Sequence, residues 1–175
     1  MLIKRRSLLF VGAVLTLGDA GQAGAQATGG QQDGMPPFSL TLSVVQPEVK
    51  LGQPVKLKVV VTNNSDHKIV LWKENAEDQG GFVYKITVRD SHSAVPPDTA
   101  LGRLLKDRED PTRPVHFTRS GGPLDLRPGG AITDYLNVGK LYDLAPGTYV
   151  VEVMRPDQET KLNVKSNSVT VTITK

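Results

Sequence analysis

From Phe38 onward the chain alternates apolar and polar residues in short runs. Phe38, Leu40, Leu42 and Val44 share one parity in FSLTLSVV, and Val55, Leu57, Val59 and Val61 share one in VKLKVVVTN. FVYKITVRD alternates Phe82, Tyr84, Ile86 and Val88 with Lys85, Thr87 and Arg89. AITDYLNV carries Ile132, Leu136 and Val138; TYVVEVMR carries Tyr149, Val151 and Val153; SVTVTIT sets Val169, Val171 and Ile173 against threonines. KIVLW, residues 68–72, is a short further strand. A period of two marks a half-buried strand. Seven such runs, separated by Gly, Pro, Asn and Asp turns, predict an all-β domain of about seven antiparallel strands. A single sheet cannot cover seven apolar faces, whereas two stacked sheets can.

One stretch departs from this rhythm. Residues 90–130 are too long for an ordinary connection. Within them TALGRLLKDRED places Ala100, Leu101, Leu104 and Leu105 at helical spacing, with Asp98 or Thr99 as the N-cap. VHFT, 115–118, is expected as an extra edge strand, and the Gly-rich TRSGG around Ser120 as a flexible loop.

The corner LAPGTY is more specific. Pro146 presets its own φ, and Gly147 accepts the positive φ that a tight turn demands. Tyr149 then starts a strand, where a sandwich-corner tyrosine packs its ring in the core and ties its hydroxyl to the upstream backbone. LRPGG, 126–130, is a second Pro-Gly turn, and Gly52 in LGQPV marks a turn before the strand from Val55.

Composition adds a compartment. Residues 1–27 have a basic start (Lys4, Arg5, Arg6), an apolar run from Leu8 to Leu17 and small residues at Ala25 and Ala27. That is the layout of a secretory signal peptide cleaved near Ala27 or Ala25, and an apolar run of about 10 residues falls short of the roughly 20 that span a bilayer. The arginine pair in RRSLLF leaves twin-arginine export open beside the general secretory route. Residues 28–37, TGGQQDGMPP, read as a flexible linker, and 38–175 as the folded domain. Cysteine is absent, which excludes disulfides, thiolate nucleophiles and cysteine metal sites. Removing the leader takes three cations and one anion (Asp19) from the totals of 21 and 18, leaving the mature chain near +1. No clustered basic face favours nucleic acid.

KLGQPVKLKVVVTNNSDHKIVL, FVYKITVRD, LRPGGAITDYLNVGKLYDLAPGTYVVEV and SNSVTVTIT together resemble a secreted bacterial immunoglobulin-like module. They are similar to the non-catalytic β-domain of deuterolysin-type peptidases and to bacterial intracellular proteinase inhibitor domains. The resemblance covers about Phe38 to Thr174 and implies an immunoglobulin-like β-sandwich without a catalytic centre.

The inventory of reactive residues agrees. His67, His92 and His116 are widely spaced, with no His-Glu-x-x-His pair for zinc. No Gly-x-Ser-x-Gly elbow or phosphate-binding Gly-rich loop is present. The acidic clusters around Asn63, Asn64 and Asp66 and around Glu74, Glu77 and Asp78 offer oxygen ligands to calcium, but Asx-turn chemistry and a solvated loop explain them more simply. Met35 and Met154 stand too far apart for copper handling. No cofactor is expected. Trp72 has two orientations. With Val70 and Trp72 inward it is the core tryptophan, the placement expected here; with Ile69 and Leu71 inward it faces out and can anchor a partner.

These observations predict an exported, non-enzymatic module, periplasmic or extracellular, that binds a protein or glycan or serves a structural role at the cell envelope. Trp72, Arg103, His116 and Arg119 are its candidate partner-binding residues. A protease inhibitor presenting a loop from 102–123, and an accessory subunit of a secreted enzyme, are the alternatives.

Overall fold

The computed structural model describes residues 36–74, 83–109 and 121–175, all within a compact unit running from Gly34 to Lys175. The strands are β1 Phe38–Val44, β2 Glu48–Lys50, β3 Lys56–Asn63, β4 Ile69–Glu74, β5 Lys85–Asp90, β6 Gly121–Leu126, β7 Ala131–Asn137, β8 Gly147–Pro156, β9 Asn163–Lys165 and β10 Val169–Thr174. One helix, α1 Ala100–Glu109, lies between β5 and β6, and a 3-10 turn, Val138–Lys140, follows β7. The seven expected strands are present, within a residue or so at most ends. The signal peptide, most of the linker, VHFT, His116, Arg119 and Ser120 lie outside the described residues. Pro37 belongs to the folded unit: it is buried, and its carbonyl accepts the Asn64 and Ser65 N–H groups at 2.9 and 3.1 Å.

One sheet has the order β1-β3-β7. The other runs β2-β10-β8-β5, with β9 also paired to β8, and β4 and β6 form a two-stranded ribbon. All ladders are antiparallel except β2 with β10. The apolar parity of each strand enters one shared core, in which Phe38, Leu57, Val59, Val61, Val88, Leu136, Val151 and Val153 are almost wholly buried. This is the all-β sandwich that the alternation predicts.

Three strands were not expected. β2 and β9 are too short to display a period. β6 opens with Gly-Gly-Pro, which reads as a loop in sequence, yet Gly121 to Leu126 pairs with Glu74 to Ile69. Its pairing, not its intrinsic preference, makes it a strand.

The corner forms as read. The Tyr149 hydroxyl donates to the Ala145 carbonyl at 2.9 Å, and its ring is buried. Gly147, after the exposed Pro146, holds φ at +157°. Gly52 sits at φ +82° in a turn closed by Gln53 N–H to the Lys50 carbonyl at 3.0 Å. In the LRPGG turn Gly129 has φ +70°, and Gly130 N–H meets the Arg127 carbonyl at 2.9 Å.

Asn63 joins β3, the ribbon and the turn before β7. It is 1% exposed. Its Nδ2 donates to the His67 and Leu126 carbonyls, both at 2.8 Å, while its Oδ1 accepts from the Ser65 N–H and hydroxyl at 2.9 and 2.7 Å. Both amide atoms are engaged, so Asn63 serves as a hydrogen-bonded strut rather than a calcium ligand.

Candidate functional site

Helix α1 begins where Thr99 accepts the Gly102 N–H at 3.1 Å, the capping bond expected of Thr99. The entry to the helix is stitched to the loop after the 3-10 turn. Thr99 N–H meets the Leu141 carbonyl at 3.0 Å, and Asp143 N–H meets the Pro97 carbonyl at 2.8 Å. Gly102 permits the approach, because a Cβ there would lie 2.1 Å from the Leu141 oxygen. Lys106 pairs with Asp98 at 2.7 Å and lies 5.4 Å from the centre of the Tyr142 ring. Tyr142 in turn donates to the Ile86 carbonyl at 2.8 Å. Arg103, a candidate partner-binding residue, is exposed but donates to the Asp98 carbonyl at 2.8 Å. Of the stretch 102–123, residues 102–109 are helix and 121–123 are strand, while 110–120 lie outside the described residues.

A polar chain lies on the inner side of β8. Arg155 is 4% exposed and donates to the Tyr84 hydroxyl at 3.1 Å and the Trp72 carbonyl at 2.6 Å. Its guanidinium lies 5.2 Å from the Tyr84 ring centre. Tyr84 donates to Asp134 at 2.6 Å, so the arginine charge reaches that carboxylate through the phenol. Burial pushes the Tyr84 hydroxyl well above tyrosine's ordinary range. Lys73 adds a long contact of 4.0 Å to Asp134. The chain ties β4, β7 and β8 together.

Trp72 departs from the expected orientation. Ile69 and Leu71 are the buried pair on β4, while Val70 is 52% exposed. The cross-strand partners of Ile69 and Leu71 are Leu126 and Leu124, which fixes the parity. Trp72 thus shares the outward face with Val70, half-buried, opposite Pro123. Its Nε1 is shielded from solvent and has no hydrogen-bond partner. The neighbouring pair on this face, Val70 and Asp125, is flanked by a Lys68–Asp125 ion pair at 2.8 Å.

The remaining candidates are scattered. His67 is exposed, and its ring hydrogen-bonds to Asp66 at 3.0 Å, holding that carboxyl below its usual value. His92 sits in the exposed turn after β5. Glu77 and Asp78 lie outside the described residues. Among the described residues no three His, Asp or Glu side chains converge as a metal site, and no helix is long and apolar enough to cross a membrane.

No family model and no curated protein match the chain. Among solved structures it is similar to the CARDB domain of the PF1109 protein from Pyrococcus furiosus, solved in complex with di-metal ions. That match has 10% identity, covers 78% of this chain and 87% of that one, and has a TM-score of 0.41. It is also similar to the β-glucosidase EmGH1 from Erythrobacter marinus (17% identity, 78% and 15% covered, TM-score 0.39). A third is the β-glucosidase from Listeria innocua in complex with gluconolactone (16% identity, 79% and 16% covered, TM-score 0.38). The chain spans less than a fifth of either glucosidase. Likenesses this distant carry no activity across, and the fold assignment rests on the strand ladders themselves.

Proposed function

We propose that the protein is an exported, non-enzymatic binding module that engages a protein or glycan partner at the cell envelope through the outer face of the β4–β6 ribbon. One observation carries the reading: on this face the exposed Val70 adjoins the half-buried Trp72, with Pro123 opposite the indole. An aromatic anchor beside exposed apolar surface is what a partner surface offers. The ribbon pairs with no third strand among the described residues. The similarity of the Gly52 turn and the Tyr149 corner to the non-catalytic β-domain of deuterolysin-type peptidases supports a module that works beside other proteins. The basic, apolar and small-residue order of residues 1–27 supports export.

The test is capture from an envelope fraction by the immobilised protein. Val70→Lys places a cation opposite Asp125 and leaves the core untouched, so capture should fall by about tenfold or more with the fold intact. Capture indifferent to this change overturns the surface, and turnover of a hydrolase substrate by the purified protein overturns the non-enzymatic reading. Export is checked separately by mass: the exported form begins at Thr28 or Gln26, and a chain retained with its first residues contradicts it.

A further inference from the structure

Unpaired N–H and C=O groups along a sheet edge invite another strand, so folded proteins cap, shorten or break their edges. Several edges in this molecule are closed in these ways. On β1, the Asn167 side chain holds both the N–H and the carbonyl of Leu42, at 2.8 and 2.9 Å, and Leu40 bridges to Ser166. On β5, the Ile86 carbonyl accepts the Tyr142 hydroxyl and the Asp90 N–H donates to the Ala94 carbonyl. On β6, Pro123 has no N–H to offer. The strands β2 and β9 are three residues long.

β7 is different. Asn63 N–H bonds to the Gly130 carbonyl and Val138 N–H to the Val55 carbonyl, both at 2.9 Å. That phase turns the backbone groups of Ile132, Asp134 and Leu136 toward β3. Ala131, Thr133 and Tyr135 therefore direct theirs away from it. All three residues are exposed, Tyr135 by 47%, and their outward groups have no partner among the described residues.

No guard replaces the missing partner. The strand contains no proline, its register with β3 runs without a bulge, and its outer face shows Ala131, Thr133 and Tyr135 without a charge. Asp134, its one charged residue, points inward and accepts the Tyr84 hydroxyl at 2.6 Å.

We propose that β7 pairs with β7 of a second copy of the chain, antiparallel about a two-fold axis, joining two three-stranded sheets into one of six strands. The edge is its own complement. Two identical strands running antiparallel match donors to acceptors, and such an isologous contact closes at two copies. Side chains choose the register. Centred on Asp134, the pairing sets two carboxylates directly opposite each other, which is unfavourable. Centred on Thr133 or on Tyr135, it sets Asp134 against an apolar residue instead, Ile132 or Leu136. The Tyr135 centre also brings the two exposed rings together, a cross-strand contact that stabilises sheets. The full chain carries a net charge of +3, so repulsion between copies is slight.

The experiment combines sedimentation equilibrium with amide hydrogen exchange on the purified protein, from about 1 μM to about 1 mM. The mass should rise toward that of a dimer and stop there. The Thr133 and Tyr135 amides should exchange at least about tenfold more slowly at the upper concentration. Thr133→Pro removes an outward N–H without touching the β3 ladder, a position that an edge strand tolerates. Tyr135→Glu sets two carboxylates across the two-fold axis, while Lys58 faces each within its own chain. Each variant should raise the dissociation constant at least about tenfold. Should Thr133→Pro unfold, Tyr135→Glu and the exchange of the unaltered protein still decide. A monomer throughout the range, growth beyond two copies, a dimer that Tyr135→Glu leaves intact, or unchanged Thr133 and Tyr135 exchange overturns the pairing. The readout needs no envelope partner, so failure here leaves capture by the Val70 face standing, and the reverse holds.

Discussion

The Tyr149 hydroxyl reaches back four residues to the Ala145 carbonyl at 2.9 Å, spanning the Pro146–Gly147 corner. The bond fixes where β8 starts, and β8 is the strand against which β5, β9 and β10 all pair. Tyr149→Phe removes only the hydrogen bond and should cost about 1 kcal/mol. Tyr149→Ala also empties a core site and should cost about 3–5 kcal/mol. Urea midpoints of the two variants check this; indistinguishable, wild-type-like midpoints contradict the anchor.

Asn63 predicts a larger effect from a smaller side chain. Asn63→Ala leaves the buried Leu126 carbonyl without its donor, which costs about 1–3 kcal/mol, while the His67 carbonyl keeps the Ser65 hydroxyl. Asn63→Asp should be worse above neutral pH, because a carboxylate would face those carbonyls. Its pKa would be raised in the folded state, so stability should recover as pH falls. Denaturation midpoints that do not improve on acidification contradict this account of Asn63.

The buried phenols set an alkaline limit. Burial raises the Tyr84 and Tyr142 pKa values above the usual value of about 10. A group with a raised folded pKa holds its proton more tightly when folded. Its contribution is complete below the ordinary value and declines as pH rises above it. Tyr84→Phe should lower stability at neutral pH by about 1–3 kcal/mol through its lost bonds to Asp134 and Arg155, yet flatten the decline above about pH 10. Parallel alkaline limbs for the two proteins exclude Tyr84 as a source.

Gly102 tests the docking of α1. Alanine is the better helix former by about 1 kcal/mol, but its Cβ would collide with the Leu141 backbone. Gly102→Ala should therefore destabilise by about 1–3 kcal/mol and expose residues 97–109 to limited proteolysis. A stabilised or protease-resistant variant would show that the helix is not held against this loop.

Alternation carried most of the fold, and it held one message that charge conceals. Asn63 continues the parity of Leu57, Val59 and Val61; Arg155 continues that of Tyr149, Val151 and Val153; Asp134 lies between Ile132 and Leu136 in register. All three polar side chains point inward because the strand keeps its period regardless of side-chain chemistry. KIVLW gave no such guide, since four consecutive apolar residues fit either parity. The Leu124 and Leu126 partners decided it, and they lie in a strand disguised by Gly-Gly-Pro.

Amide hydrogen exchange of the folded protein tests the central claim most directly, namely that two sheets built on β3 and β8 form one core. Both are flanked by strands on each side, so their inter-strand amides should exchange only through global unfolding and be the slowest in the chain. Rapid exchange throughout β3 and β8, or slowest exchange within residues 100–109, would contradict it.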